Sequence, residues 1–228
     1  MVLEVTNLSK HFIAHTRGGI AVSGFENVSF SLKKGEFLSI AGKSGSGKSS
    51  ILKVLYRSYL PSGGSANLYD NGAFIASITD SSDSQILALR ESYIGYVSQF
   101  LQVLPRVSAL TIVANPLILH GESEEKAKQE AREMLSFFGI KESLFDLSPL
   151  TFSGGEQQRV NIAKGIIAPK KLLLLDEPTA SLDKENRQKV LCKLATLKRN
   201  GISMIGIFHD KESMEQISDT IYHIGEAQ

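Results

Sequence analysis

The 228-residue chain has a single cysteine, Cys192, and no tryptophan. One thiol excludes an intrachain disulfide framework and fits a reducing compartment. Cys192 lies in a helical stretch, where a packed or half-exposed thiol is the ordinary outcome and a reactive one the exception. Charge of one sign is lacking too: 25 basic residues against 24 acidic leave a formal net charge of +1. Without a global basic field, nucleic acid is not expected as a partner. No stretch approaches about 18 uninterrupted apolar residues, the length a membrane-spanning helix needs. Any membrane part of its work must come from another chain. The start, Met1-Val2-Leu3-Glu4-Val5-Thr6, carries neither a basic n-region nor a long apolar h-region. No secretory signal is expected, and the chain is expected in the cytoplasm. There is no internal repeat and no low-complexity tail. What remains is ordinary for a globular protein: 42% hydrophobic and 21% charged residues, enough for one large domain or a domain with a subdomain.

The pattern along the chain is α/β. Val2 to Leu8 alternates weakly and reads as an edge strand. His11 to Gly19 reads as a polar loop containing Phe12. His11 and His15 stand four apart with no helical pattern and no third ligand, which argues against a metal site. Val28–Leu32 alternates like a strand, and Lys33-Lys34-Gly35 turns into the next one, Phe37–Ala41. Short strands follow around Ala66–Tyr69 and Ala73–Ile78. Ser82-x-x-Gln85 fits a capping box that opens a helix. Ile94–Val97 is another short strand. From Pro105 to about Lys164 the pattern turns helical, with Ser123–Phe138 amphipathic and Gly139 ending it. Leu172–Leu175 is a continuous apolar run, as a parallel strand buried on both faces should be. Val190, Leu191, Leu194 and Leu197 form a helix stripe, and Met204–Phe208 and Thr220–Ile224 are further strands. The helical stretch at about 101–164 lies inside the α/β unit, so one domain with an inserted subdomain is expected over 1–228.

Three stretches carry chemistry. Gly42-Lys43-Ser44-Gly45-Ser46-Gly47-Lys48-Ser49 is G-x-x-x-x-G-K-[ST], a phosphate-binding loop. It follows the strand Phe37–Ala41 and precedes a helix with Ile51, Leu52, Leu55 and Tyr59 on one face, the context the motif requires. The glycines let successive N–H groups turn onto phosphate oxygens, and the helix start adds its positive dipole end. Lys48 would reach the β- and γ-phosphates of a nucleotide, and the Ser49 hydroxyl would ligate Mg²⁺. The second stretch is Asp176-Glu177, which ends the Leu172–Leu175 strand. Asp176 can hold Mg²⁺, and Glu177 can polarise the water that attacks the γ-phosphate. The third is Ser153-Gly154-Gly155-Glu156-Gln157-Gln158-Arg159. Its glycines and the Ser153 hydroxyl at a helix start make a second anion site. A single-site kinase has no use for it.

With this third stretch the chain resembles the ATP-binding-cassette (ABC) ATPases. The resemblance covers essentially all 228 residues. It implies a P-loop NTPase fold with a mostly parallel core sheet, a small antiparallel β subdomain and an inserted α-helical subdomain. It implies ATP and Mg²⁺ as cofactors. It places Phe12 at the adenine-stacking position, where tyrosine is more usual and His11 is a poorer candidate. It makes Gln99 the Q-loop glutamine that senses Mg²⁺ and the γ-phosphate, and Ser181-Leu182-Asp183 the D-loop. His209 becomes the switch histidine. Ser50 stands where threonine is common, and Lys164 where arginine is common. The resemblance also implies a head-to-tail dimer, with itself or with a second cassette, in which the Ser153 loop of one chain closes the site of the other.

A narrower resemblance rests on Val97–Leu110, Leu55–Pro61, the run from Thr151-Phe152-Ser153 into Asn161–Gly165, and Gly206–Asp210. Together they look like the L subunit of the carbon–phosphorus lyase system. This implies a role beside the carbon–phosphorus lyase core complex in phosphonate catabolism, where methylphosphonate is coupled to the ribose of ATP to form ribose 1-methylphosphonate 5-triphosphate. Gln99–Leu110 is expected to face the partner. The alternative is the ATPase subunit of a membrane exporter of the lipoprotein-release or macrolide type, which shares Ser-Gly-Gly-Glu-Gln-Gln-Arg. A cassette acting on DNA or ribosomes is disfavoured by the lack of a coiled coil, a tandem cassette and a basic stripe.

Overall fold

The computed structural model describes residues 1–14, 20–103, 105–168 and 170–225. Two sheets and a group of helices are stacked on two apolar cores. The first sheet contains β1 (Leu3–Ala14), β2 (Ile20–Leu32), β4 (Gly63–Asp70) and β5 (Ala73–Ser77). Its order is β2-β1-β4-β5 and every pairing is antiparallel. The second contains β3 (Phe37–Ala41), β6 (Ile94–Val97), β7 (Leu172–Asp176), β8 (Ser203–Ile207) and β9 (Thr220–His223). Its order is β6-β7-β8-β3-β9, and every pairing is parallel. Chain order and spatial order differ in this sheet. That places the ends of β3, β6, β7 and β8, drawn from across the sequence, along one edge, where α/β folds bind ligands.

The central strands follow from composition. Leu172, Leu173, Leu174 and Leu175 are all buried, because both faces of β7 are covered. Phe37, Leu173, Leu175 and Met204 join one core together with the helices α3 (Ala109–Leu119), α4 (Glu124–Phe137), α5 (Gly154–Ile167) and α6 (Lys184–Arg199). Leu38, Ile40, Leu172, Leu174, Ile205 and Ile207 join the other, with α1 (Lys48–Leu55), α2 (Asp83–Ser92) and the antiparallel sheet. A final helix, α7 (Lys211–Ile217), precedes β9. Helices α3, α4 and α5 pack on one another. The capping box at Ser82 is formed in both directions, with the Gln85 side chain and backbone each engaged.

Three expectations change. Val2–Leu8 is not an edge strand: β1 lies between β2 and β4. Residues 11–14 are not loop, because β1 pairs with β2 through Ala14, and residues 15–19 lie outside the described residues. His15 lies outside the described residues, and no cluster of metal-binding side chains occurs among those described. Tyr59 is not on the first helix, which ends at Leu55 with Tyr56 as its cap and Arg57 at φ 62°. Two short 3₁₀ turns, Glu142–Leu144 and Pro149–Thr151, fill the stretch between the helix that Gly139 ends and the one that Ser153 starts.

Candidate active site

The phosphate loop joins β3 to α1. Gly47 caps α1 at φ 89° with no side-chain acceptor, whereas α2 to α7 each carry a Ser or Asp cap. The first N–H groups of α1 are therefore left for a ligand. Gly47 is also sterically compelled: a Cβ there would stand 1.9 Å from the Gly24 carbonyl oxygen of β2. Lys48 folds back over the loop and donates to the carbonyls of Gly42 (2.8 Å) and Lys43 (2.9 Å). The Ser46 hydroxyl is buried without a partner. Lys43, Ser44 and Gly45 are exposed, and Ser49 and Ser50 are half-buried at the start of α1. An orphaned hydroxyl, a lysine resting on loop carbonyls and an uncapped helix start fit a polyphosphate.

The acid pair meets this loop from β7. The Ser49 hydroxyl donates to Asp176 Oδ1 at 2.8 Å. Tyr96, on β6, donates its hydroxyl to Asp176 Oδ2 at 3.0 Å. Burial, then the nearby Asp176 charge, pushes the Tyr96 hydroxyl well above the ordinary tyrosine range, so it remains protonated. Glu177 turns the chain at φ 51° and donates its N–H to Ile207 O at 3.0 Å. Its carboxylate accepts from Gln99 Nε2 at 2.9 Å. Asp176 and Glu177 thus face different partners, as successive residues leaving a strand do. His209 follows β8, is exposed, and shares a cavity of about 280 Å³ with Glu177, Ser181, Arg187 and Asp210. Ser49 and Asp176, already hydrogen-bonded to each other, suit a small hard cation that keeps phosphate and water as its remaining ligands, whereas Gln99 is turned to Glu177.

Other expected residues lie further out. Phe12 packs against Gly24, whose carbonyl faces Gly47, and meets Tyr59 edge-on with ring centroids 5.3 Å apart. This sets Phe12 beside the loop, half-buried. His11 pairs with Glu26 at 3.8 Å instead. Asp183 caps α6, accepting from Asn186 N and Nδ2, both at 2.8 Å. Those bonds hold its carboxyl below the usual carboxylate range.

The Ser153 loop makes its hydrogen bonds within its own helix end. The Ser153 hydroxyl and N–H donate to Glu156 Oε2 at 2.7 and 2.9 Å, and Glu156 N donates back to Ser153 Oγ at 3.4 Å. These donations, the hydroxyl's first, lower the Glu156 pKa. Gly154 has open space around it, and Gly155 lies against Ser181 O. The anion-ready groups of this loop are thus not spent on the chain's own phosphate loop.

Three residues given no role in the sequence join these parts. Tyr96 is one. Gln158, 4% exposed, donates to the carbonyls of Glu177 and Pro178. Asn161 donates to Ser98 O at 2.5 Å, just before Gln99. Helix α5 therefore ties the Ser153 loop to the turn after β7 and to the start of the Q-loop. Gln158 lies inside the Ser153–Arg159 motif, so a signal was present. Tyr96 carried none, and Asn161 only its place in the run Asn161–Gly165. In the expected docking stretch, Phe100 is 72% exposed, whereas Ala109 and Leu110 are buried in α3 and face no partner. Leu104 lies outside the described residues.

The ABC transporter family model matches residues 25–180, from within β2 to the turn after β7. The lipoprotein-releasing system ATP-binding protein LolD of Acinetobacter baylyi is 34% identical over 226 residues, which is 98% of this chain and 95% of that protein. The uncharacterized ABC transporter ATP-binding protein YvrO of Bacillus subtilis is 30% identical, over 97% of this chain and 93% of that one. The dimeric post-hydrolysis structure of the ATP-binding cassette MJ0796 bound to ADP and Pi superposes with a TM-score of 0.87 at 29% identity, covering 97% of this chain and 94% of that chain. These relatives lend the carbon–phosphorus lyase expectation no support and favour the exporter alternative. The two-sheet fold, the phosphate loop facing the β7 acids, and relatives matched along nearly their whole length establish that this chain belongs to the ABC transporter family of ATP-binding-cassette ATPases.

Proposed function

We propose that this chain is the ATP-hydrolysing subunit of a two-cassette machine whose work is done by a different protein. One observation carries the reading. Ser49 is set on Asp176 and Gln99 on Glu177, while Ser153 itself bonds to Glu156 and to neither of these pairs. MJ0796 has been seen as a dimer. By the same arrangement, each ATP would lie between the Gly42–Ser49 loop of one chain and the Ser153 loop of another, a second copy or a second cassette. Phe12 would stack on adenine. Lys48 would leave its two carbonyls for the β- and γ-phosphates. Glu177 would accept the proton of the attacking water, with Gln99 and His209 orienting it at the γ-phosphate. Asp183 would line the dimer face beside Ser181. Ser49 and Asp176, with Gln99, would hold Mg²⁺, which when bound neutralises phosphate charge. Binding would close the dimer, and hydrolysis would open it.

The lipoprotein-releasing relatives favour a membrane permease as the driven protein. No helix among the described residues is long and apolar enough to cross a membrane, so a permease would be a separate chain. A second reading, the carbon–phosphorus lyase core as partner in the cytoplasm, rests on the residues at Val97–Leu110, Leu55–Pro61, Thr151–Ser153 with Asn161–Gly165, and Gly206–Asp210. In both, contact is expected at Phe100, Gln102 and Arg106, all exposed. Gln102 lines a cavity of about 370 Å³ together with Arg90 and Lys164. Affinity purification of the tagged chain from phosphate-starved cells tests this. A polytopic membrane protein supports the permease reading, and soluble phosphonate enzymes support the second. A chain that purifies alone and does not hydrolyse ATP overturns both.

A further inference from the structure

We propose that Tyr96 is a positioning residue for the metal-side carboxylate: its hydroxyl fixes the rotation of Asp176 so that Oδ1 faces Ser49 and the phosphate loop. The proposal rests on the reading of Asp176 as a Mg²⁺ holder. The argument starts from register. β6 and β7 are parallel neighbours, and Tyr96 is paired with Leu174. Leu174 and Asp176 share a face of β7, because side chains alternate along a strand. Tyr96 is therefore on the face of Asp176 but two residues short of it, about 6.6 Å along the strand. A tyrosine spans that offset and places a donor at its far end. Serine and threonine lack the reach, and phenylalanine lacks the donor.

Asp176 is 3% exposed, so solvent does not supply its hydrogen bonds. Each carboxylate oxygen has one side-chain donor, Ser49 on Oδ1 and Tyr96 on Oδ2. Ser49 is the donor expected to turn toward a metal. Tyr96 is then the group still holding the carboxylate plane. Its own ring is held in turn. Tyr56 stacks on it at 5.0 Å with planes 23° apart, and the Arg90 guanidinium lies 4.4 Å over Tyr56. Outer partners of metal ligands act in this way, by fixing the ligand's orientation before the ion arrives.

The test is the free-Mg²⁺ dependence of binding of a non-hydrolysable ATP analogue to the full chain, followed by calorimetry. Tyr96→Phe should raise the Mg²⁺ midpoint by about 10- to 100-fold. Analogue affinity in EDTA should stay within about twofold, since Lys48 and the loop are untouched. Tyr56→Phe, which keeps the ring stack, should leave the midpoint in place. Asp176→Asn separates the two layers of the argument. If it does not move the midpoint, the metal-holding reading fails and the proposal with it. If Asp176→Asn moves the midpoint and Tyr96→Phe does not, the proposal alone is overturned. A Tyr96→Phe chain that melts lower but keeps the wild-type midpoint also overturns it.

Discussion

Replacing Glu177 with Gln tests the hydrolytic half of the site with little steric change. Gln keeps the length and one oxygen of Glu, so the Gln99 Nε2 contact at 2.9 Å can be retained. The positive φ of 51° at this position is kept as well. What is lost is a carboxylate able to take a proton. General-base catalysis contributes about 10²–10⁴-fold, and each decade corresponds to about 1.36 kcal/mol of barrier. Turnover measured by phosphate release should therefore fall by at least about 100-fold, or ~2.7 kcal/mol. Binding should survive, because Lys48, Ser49 and the uncapped start of α1 are unchanged. At ATP near 100 times Kd, binding stabilises the folded chain by about 2.7 kcal/mol. For a chain of this size that is roughly 5–10 °C in Tm. In Glu177→Gln the shift should persist through a long incubation, while wild type loses it as ATP is consumed. Unchanged turnover with the shift intact would remove Glu177 from its role.

Two further perturbations follow from the same geometry. Gly47→Ala would place a Cβ 1.9 Å from the Gly24 carbonyl at φ 89°. It should lower stability by about 1–3 kcal/mol and abolish ATP-dependent stabilisation in the same melting assay; a Tm matching wild type would contradict the close approach of β2 to the loop. Glu156 has a folded pKa below its ordinary value of 4.5, because Ser153 donates to it. Its contribution is full above pH 4.5 and is lost as pH falls through the lower folded value. Tm against pH should therefore drop more steeply on the acid side in wild type than in Glu156→Gln, and identical curves would show that the cap is not formed in solution.

Much of the site was legible because its signals are local. Gly42–Ser49 sits between an apolar strand and a helix, and Asp176-Glu177 ends four consecutive leucines, so composition and order alone place them. The bonds between these segments were not legible. Tyr96 reaches Asp176 across 80 residues of chain and Asn161 reaches Ser98 across 63. Neither Tyr96 nor Asn161 carries a mark of its partner until β6 pairs with β7 and α5 packs on β6. β1 read as an edge strand for the same reason, since its second neighbour, β4, arrives only after the phosphate loop and α1. Tyr59 continued the helical spacing, but Arg57 at φ 62° ends the helix before it. The driven partner is harder still to read. The groups that bind and hydrolyse ATP serve any partner alike, so the partner must be read from exposed residues such as Phe100, where no internal bond constrains the choice.

The shared site is tested most directly by Ser153→Arg. A guanidinium-bearing side chain at this exposed helix cap fills the space offered to a neighbouring chain's nucleotide and leaves Gly42–Ser49 untouched. The measurement is ATP turnover of the purified chain, alongside nucleotide binding and the ATP-dependent mass by light scattering. The account predicts binding within about twofold of wild type, no ATP-driven dimer, and turnover lower by about 100-fold or more. Dimerisation and turnover equal to wild type would contradict it.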